Sequence, residues 1–253
     1  MTLDPVVLVA LVVAASLAAL VNGIIGFGFA LLAVIVFAIL LGPKEAVILM
    51  SLLTPLMAGL QLVRYRRYLP TWRRFKPLMA GAIVGSIVGA PLLVVLPGPA
   101  ISIALGAFTI YYVISSWRDD RAPIASATER RLAPVTGFVG GVTNSTIGAS
   151  GPVFGAYLVA LGLRGSEFAF AISLSFFTMS ILRASILGAL QQYTVAFATA
   201  ALVLFLPSVS MQRVGFILHD RAPTHLLHRL VLVVLLVASA NLLWRGASAM
   251  LGL

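Results

Sequence analysis

The chain of 253 residues contains no cysteine, and aspartate and glutamate together number only seven. The lack of cysteine excludes disulfide bonds, thiolate metal sites and cysteine nucleophiles. The scarcity of acids leaves no candidate for a carboxylate proton relay or a carboxylate sodium site inside the membrane, because every acid lies at or beyond the end of an apolar segment. The seven acids are Asp4, Glu45, Asp119, Asp120, Glu129, Glu167 and Asp220.

Motifs of enzymes are also missing. The chain has neither the His-Glu-x-x-His of zinc hydrolases nor the Gly-x-x-x-x-Gly-Lys that binds nucleotide phosphates. The three histidines, His219, His225 and His228, lie in a basic loop, where solvated side chains are the default over a metal site. We therefore predict a protein that is not an enzyme and that holds no cofactor and no metal.

Apolar residues, in contrast, are abundant. They make up 61% of the chain, charged residues make up 9%, and the mean hydropathy is +1.10. This apolar share is far above that of soluble domains, so we predict an integral membrane protein in contact with the lipid bilayer. The apolar runs lack the alternation of barrel strands and are long enough to span as helices, which predicts an all-α fold.

The net charge of +10 would indicate a nucleic-acid partner in a soluble protein. Here the lysines and arginines lie in short connections between apolar runs, where they determine membrane topology. No nucleic-acid partner is therefore expected.

Ten apolar segments can be counted, five in each half of the chain. Residues 5–41 carry no charge and would form a helix of about 55 Å, which is too long for one crossing of a ~30 Å hydrocarbon core. A polar, glycine-bearing break at 22–28 divides this run, either into two thin spans or into a re-entrant hairpin with its tip inside the membrane. A similar break at 143–152 divides the apolar run 132–163.

The two breaks belong to an internal duplication. Asn22 and Asn144 lie 122 positions apart in the sequence. The same offset pairs Gly26 with Gly148, Glu45 with Glu167 and Ser51 with Ser173. A repeat of this length is typical of a duplicated transporter. We predict residues 1–117 as the first transmembrane repeat, 118–131 as a cytoplasmic linker and 132–253 as the second repeat.

Charge indicates how the repeats are oriented. Five crossings in each half would invert the second repeat, and an external N-terminus then places the basic stretches 64–76, 118–131 and 213–229 in the cytoplasm. If each hairpin were a single crossing, the protein would have eight spans and the loop 213–229 would lie opposite 64–76. The predicted fold is therefore an all-α polytopic membrane protein with two inverted-topology repeats of five hydrophobic segments, the first two of each forming a broken or re-entrant hairpin.

The breaks are candidates for an anion site. Helix N-termini present unpaired N–H groups and a partial positive charge, and inversion would bring the starts of the two helices that follow the breaks together near the membrane midplane. Ser150 is a candidate N-cap and Pro152 a first-turn residue of the second such helix. The alternative is a pair of glycine-rich turns on opposite membrane faces. The predicted substrate-binding residues at the breaks are Asn22, Gly26, Gly28, Thr143, Asn144, Ser145, Thr146, Gly148 and Ser150.

Arg183 lies in an apolar run with no acidic residue near it in sequence, and its partner under the 122-residue offset is Gln61. Intramembrane cations usually face a cavity, so we include Arg183 and Gln61 among the predicted substrate-binding residues. The alternative is that the Arg183 head group extends to the membrane interface.

The motifs at the breaks resemble those of the sulfite exporter TauE/SafE family. The likeness is carried by Asn22-Gly23-Ile24-Ile25-Gly26-Phe27-Gly28 with Leu41-Gly42-Pro43 after it, and by Gly140-Gly141-Val142-Thr143-Asn144-Ser145-Thr146-Ile147-Gly148 with Leu161-Gly162-Leu163 after it. It covers nearly the whole chain. Where the family often has a glycine-rich run and then proline, this chain has Ala149-Ser150-Gly151-Pro152. The resemblance implies movement of sulfite, sulfoacetate or other organosulfonates across the bacterial cytoplasmic membrane, usually outward.

Together these features predict a secondary transporter that exports a small sulfur-containing anion by alternating access. An importer or channel for another small anion is the alternative within transport. A membrane scaffold subunit that binds a partner through its basic loops is the alternative outside transport. A homodimer is compatible with the transport interpretations and with the scaffold interpretation.

Overall fold

The computed structural model describes residues 4–117, 126–219 and 224–251, and within these ranges every regular element is helical. Asp119, Asp120 and Asp220 lie outside the described residues, as do the side chains of His225 and His228. The elements are α1 (Pro5–Ile25), α2 (Phe29–Leu41), α3 (Pro43–Arg64), a 3₁₀ segment (Arg66–Phe75), α4 (Lys76–Val95), α5 (Gly98–Trp117), α6 (Ser126–Ile147), α7 (Gly151–Ala160), α8 (Gly165–Ala189), α9 (Val195–Leu218) and α10 (Thr224–Leu251).

Seven of these helices are long and apolar enough to cross a membrane: α1, α3, α4, α5, α8, α9 and α10. Helices α2 and α7 have 13 and 10 residues, or roughly 20 Å and 15 Å, so neither can cross a ~30 Å hydrocarbon core alone. These helices confirm the prediction of an all-α polytopic membrane protein. The two short helices are those that follow the predicted breaks.

Both breaks are shorter than predicted. Asn22 and the polar run 143–146 lie in the last turns of α1 and α6, and only residues 26–28 and 148–150 interrupt the helices. Gly26 (φ +93°) and Gly148 (φ +73°) adopt the left-handed conformation that glycine tolerates. Each donates its N–H to the asparagine carbonyl four residues earlier, at 2.8 Å and 3.1 Å respectively. The polar side chains are therefore held on helices.

The short helices begin differently. Gly28, with a φ of +111°, occupies the N-cap position of α2. Ser150 occupies the N-cap position of α7 with Pro152 in the first turn, as predicted, but the Ser150 hydroxyl makes no capping hydrogen bond. Its Oγ lies 3.5 Å from Asn144 Oδ1 instead. The first amide groups of α7 therefore have no side-chain partner from their own cap.

The most extensive packing joins the two halves of the chain. Helix α4 packs on α6, α1 on α9, α5 on α10 and α3 on α8, and each pair takes one helix from either half. This pairing is compatible with two repeats related by a two-fold axis, and both the repeats and their inversion stay predictions. Helix α6 begins at Ser126, inside the predicted linker 118–131.

Glycines set the distance between α4 and α6. Gly81, Gly85 and Gly89 recur at four-residue spacing on α4, which predicts a small face for close helix contact. A Cβ added at Gly81 would lie 2.0 Å from the Pro134 carbonyl oxygen, and one at Gly85 would lie 2.1 Å from that of Phe138. The predicted close contact is confirmed, and the two backbones leave no space for a side chain.

Gly85→Ala should therefore destabilise the protein, because its methyl group would collide with the backbone of α6. Overpacking of this kind costs at least about 1–3 kcal/mol, and thermal unfolding of the purified protein in detergent should show a lower Tm. Gly155→Ala is the matched control, since nothing lies within 4 Å of the corresponding Cβ on α7. An unchanged Tm for Gly85→Ala would contradict the close packing.

Candidate functional site

A cavity of about 640 Å³, which we call the vestibule, opens beside both breaks. Gly26 and Phe27 from the first break and Gly151 and Pro152 from the second line it. Its outer lining includes Tyr65, Ser115, Ser116, Arg164, Phe168 and His219. The vestibule therefore lies at the end of the molecule where the sequence concentrates its basic connections.

A second, smaller cavity, the inner cavity, lies between the starts of α2 and α7. Gly28 lines it from one side, and Ser150 and Gly151 line it from the other. The remaining lining is mainly apolar, and the volume of about 20 Å³ holds about one water molecule. The two breaks thus converge on one interior space, and the alternative of two turns on opposite membrane faces is wrong.

The helix starts at this cavity carry unpaired backbone donors. The first N–H groups of any α-helix have no partner within the helix, and they lie at the positive end of its dipole. Helices α2 and α7 each stop short of a full crossing, and both begin at the inner cavity. The starts of two helices therefore border the same small space, and such a position is suited to an anion.

A third cavity, the Asn22 cavity, adjoins the start of α2. It is lined by Asn22, Gly28 and Gln61, three of the predicted site residues, together with Thr54 and Phe176, and its volume is about 20 Å³. Asn22 is buried, with a relative exposure of 5%. The Thr54 hydroxyl donates to the Met50 carbonyl at 2.7 Å. Three of the four predicted site residues of the first half thus lie around one cavity, while Gly26 lines the vestibule.

Gln61 and Arg183 perform the same task in the two halves. Gln61 Nε2 donates to the Asn22 carbonyl at 3.2 Å, and Arg183 Nη1 donates to the Asn144 carbonyl at 2.5 Å. Both carbonyls belong to the last turn of a helix that ends inside the protein. Each side chain therefore satisfies and positions a helix end next to a break.

The residues that contact the two asparagine carbonyls, Gln61 and Arg183, differ in charge. Arg183 is only 1% exposed, so its head group does not extend to the membrane interface as the alternative proposed. Within the described residues the one ion pair joins Arg74 and Glu129, and no carboxylate accompanies Arg183. Its Nε, the Asn144 amide nitrogen and the Ser145 and Ser180 hydroxyls are buried without hydrogen-bond partners. Gln61, in contrast, is neutral and accepts a hydrogen bond from the Ser173 hydroxyl.

Tyr193 lies close enough to Arg183 for the two to interact electrostatically. It sits in the connection between α8 and α9, with its hydroxyl 2.6 Å from Ser51 Oγ. Burial raises the pKa of the Tyr193 phenol above its ordinary value. The phenol therefore remains protonated at neutral pH and does not neutralise Arg183.

Other predicted residues are turned away from the cavities. Thr143 bonds to the carbonyls of its own helix at Val139 and Gly140. Thr146 donates to the Gly89 carbonyl of α4 at 3.0 Å. Gly148 packs against Val34. Thr146 and Gly148 thus join α6 to α4 and α2, whereas Thr143 bonds only within its own helix.

The structure adds residues that were not predicted as part of the site. Phe27 and Tyr112 line both the vestibule and the inner cavity, while Phe176 lines both the inner cavity and the Asn22 cavity. A signal existed for Thr54 and Phe176, because the offset of 122 residues also pairs these two positions. No comparable signal marks Tyr112, whose position depends on how α5 packs.

Comparison with protein families gives one match. The family model described as Sulfite exporter TauE/SafE matches residues 11–242, nearly the whole chain. Comparisons with curated proteins and with solved structures gave no match. The matched region contains both breaks, the residues of the three cavities described above, and Arg183. The chain belongs to the sulfite exporter TauE/SafE family.

Proposed function

We propose that the protein is a secondary transporter that exports a small sulfur-containing anion across the bacterial cytoplasmic membrane by alternating access. Sulfite, sulfoacetate and other organosulfonates are the substrates considered, and the N-terminus lies outside the cell. Membership of a family of membrane transporters supports the general class. The observation that carries the proposal is the meeting of two helix starts in one cavity, beside a buried arginine without a carboxylate partner.

Electrostatics favour an anion at this place. The start of a helix is equivalent to roughly half a positive charge, and two such starts face the inner cavity. Arg183 adds a full charge behind the second break, where its Nε and the Asn144 amide nitrogen have hydrogen to donate and no acceptor. These charges would attract an oxyanion into the inner cavity, whereas a cation there would meet only like charge.

Outward movement of such an anion requires no coupled cation. A membrane potential that is negative inside drives each exported negative charge with ~2.3 kcal/mol per 100 mV. This agrees with the positions of the described acids, which lie at helix starts rather than along a membrane path. Glu45 and Glu167, for example, are in the first turns of α3 and α8.

The cavities form a path with two aromatic constrictions. The vestibule and the inner cavity share Phe27 and Tyr112, and the inner cavity and the Asn22 cavity share Phe176. An inner cavity of about 20 Å³ holds about one water, so an oxyanion enters only when the aromatic side chains move. We assign Phe27 to the constriction on the vestibule side and Phe176 to the deeper one.

Flux measurements test the transport proposal directly. Purified protein in liposomes should release entrapped sulfite or sulfoacetate, and Asn144→Ala should slow release about 10–100-fold, as expected for one lost hydrogen bond to a charged group. Thr143→Ala is the matched control, because that hydroxyl bonds only to its own helix. Absence of flux by the wild type would favour a scaffold subunit, and uptake without release would favour an importer.

Arg183→Gln separates the charge of Arg183 from its structural hydrogen bond. Gln61 already shows that glutamine can reach the equivalent asparagine carbonyl, so the variant should keep its fold and its Tm in detergent. Anion flux should fall at least about tenfold, since the buried charge that attracts the substrate is lost. Wild-type flux in Arg183→Gln would show that the residue only holds the end of α6.

Access to the inner cavity can be measured by labelling a single introduced cysteine. No native residue has to be replaced first, because the chain has no cysteine. Ala30→Cys places a thiol on the wall of the inner cavity. Adding Phe27→Ala should raise its rate of labelling by a sulfonate-bearing methanethiosulfonate reagent about tenfold or more, because the constriction is removed. Tyr65→Ala is the control, since Tyr65 lines the vestibule but not the inner cavity. Equal labelling rates with and without Phe27 would contradict the assignment.

A further inference from the structure

The 3₁₀ segment Arg66–Phe75 connects the membrane helices α3 and α4 and has one face on the protein. Three residues complete a turn of a 3₁₀-helix, so side chains three positions apart form columns. The column of Tyr68, Thr71 and Arg74 faces inward: the Tyr68 ring lies 6.4 Å from the Phe170 ring, and Arg74 Nε donates to Glu129 Oε1 at 2.8 Å. The segment is therefore fixed against α8 and α6 rather than loose.

The other two columns combine cations with apolar groups. One contains the exposed Arg66, Leu69 and Trp72 and ends at the buried Phe75, and the next contains the exposed Arg67, Pro70 and Arg73. Leu69 is 56% exposed and Trp72 is 41% exposed. A tryptophan and a leucine beside arginines are typical of a segment that lies in the membrane interface.

Arg66 and Arg73 have no partner among the described residues, whereas the other cations of this region are engaged. Arg74 pairs with Glu129, and Arg64 donates to the Phe216 carbonyl and lies over its ring. Arg67 lies over the Tyr68 ring and Lys76 over the Trp72 ring. Two guanidinium groups on adjacent columns thus remain free to bind an anionic group.

The position of the segment decides what that group is. Helix α3 ends at Arg64 and α4 begins at Lys76, so the segment lies where two membrane helices leave the hydrocarbon. Val63, next to the end of α3, is 66% exposed, so an apolar side chain is also exposed where α3 ends. A molecule bound to this surface contacts both apolar side chains and free arginines. A phospholipid with an anionic headgroup has the matching apolar and negatively charged parts.

We propose that Arg66 and Arg73 bind the phosphates of anionic phospholipids in the predicted cytoplasmic leaflet. Leu69 and Trp72 insert at the boundary between headgroups and acyl chains. The guanidinium forks match phosphate oxygens, and the apolar pair keeps the arginines at headgroup depth. The proposal is independent of the transported substrate.

Fluorescence of Trp72 tests this lipid site in the full chain. The chain has three tryptophans, so a variant with Trp117→Phe and Trp244→Phe reports Trp72 alone. In phosphatidylcholine bilayers, brominated phosphatidylglycerol should quench Trp72 more strongly than the same fraction of brominated phosphatidylcholine. The preference should weaken at high salt, because the Debye length falls from ~10 Å at 0.1 M to ~3 Å at 1 M.

Charge removal at the segment should abolish the preference. Arg66→Gln with Arg73→Gln should lower the relative affinity for phosphatidylglycerol about thirty-fold, as expected for two arginines at the membrane surface, while brominated phosphatidylcholine still quenches. The matched control is Arg213→Gln with Arg229→Gln, which removes the same charge from exposed positions on α9 and α10 and should leave the preference intact.

Three results would overturn the proposal. Equal quenching of the parent protein by the two lipids would show that no anionic lipid is selected. Loss of preference in the control pair as well would show that net charge acts without a defined site. If polyglutamate changed the fluorescence of Trp72 while the two brominated lipids quenched it equally, the surface would be assigned to an acidic protein.

Discussion

A helix that ends inside a membrane protein leaves carbonyl groups that water cannot reach, and each must find a partner within the protein. Here α1 and α6 end at buried glycines. The carbonyls of Asn22 and Asn144 accept the N–H groups of Gly26 and Gly148, and each receives a second donor, from Gln61 on α3 and Arg183 on α8 respectively. These two hydrogen bonds fix the breaks at a defined depth. The starts of α2 and α7, and therefore the inner cavity, depend on this arrangement.

The same architecture carries different chemistry in its two halves. Equivalent positions hold a neutral amide in Gln61 and a cation in Arg183, so the fold can be nearly symmetric while the electric field at its centre is not. A buried arginine is costly unless something compensates its charge. The Asn144 carbonyl, at the negative end of the α6 dipole, supplies part of that compensation. An anion bound in the adjacent cavity would supply more of this compensation. The cost of burying Arg183 would then be connected with the proposed transport of an anion.

Close packing and mobility are divided between different parts of the molecule. Glycines on α4 and α9 bring their backbones against α6 and α1, and these contacts leave no room for adjustment. The cavities are bounded instead by side chains that include the aromatic rings of Phe27 and Phe176. Rotation of a side chain leaves backbone hydrogen bonds intact, so closely packed helix pairs around aromatic rings are compatible with the proposed change of access.

By itself the sequence determined the membrane class and the helical fold, and it indicated a duplication and the approximate location of both breaks, because composition, apolar run length and glycine spacing are local properties of the chain. It also paired Gln61 with Arg183 through the repeat offset. Only the tertiary structure decided which polar residues near the breaks reach a cavity: Asn22 does, Thr143 bonds to its own helix, and Thr146 joins α4. Tyr112 entered the site for the same reason. Which helices lie side by side depends on contacts between residues far apart in sequence, and a single sequence does not record them.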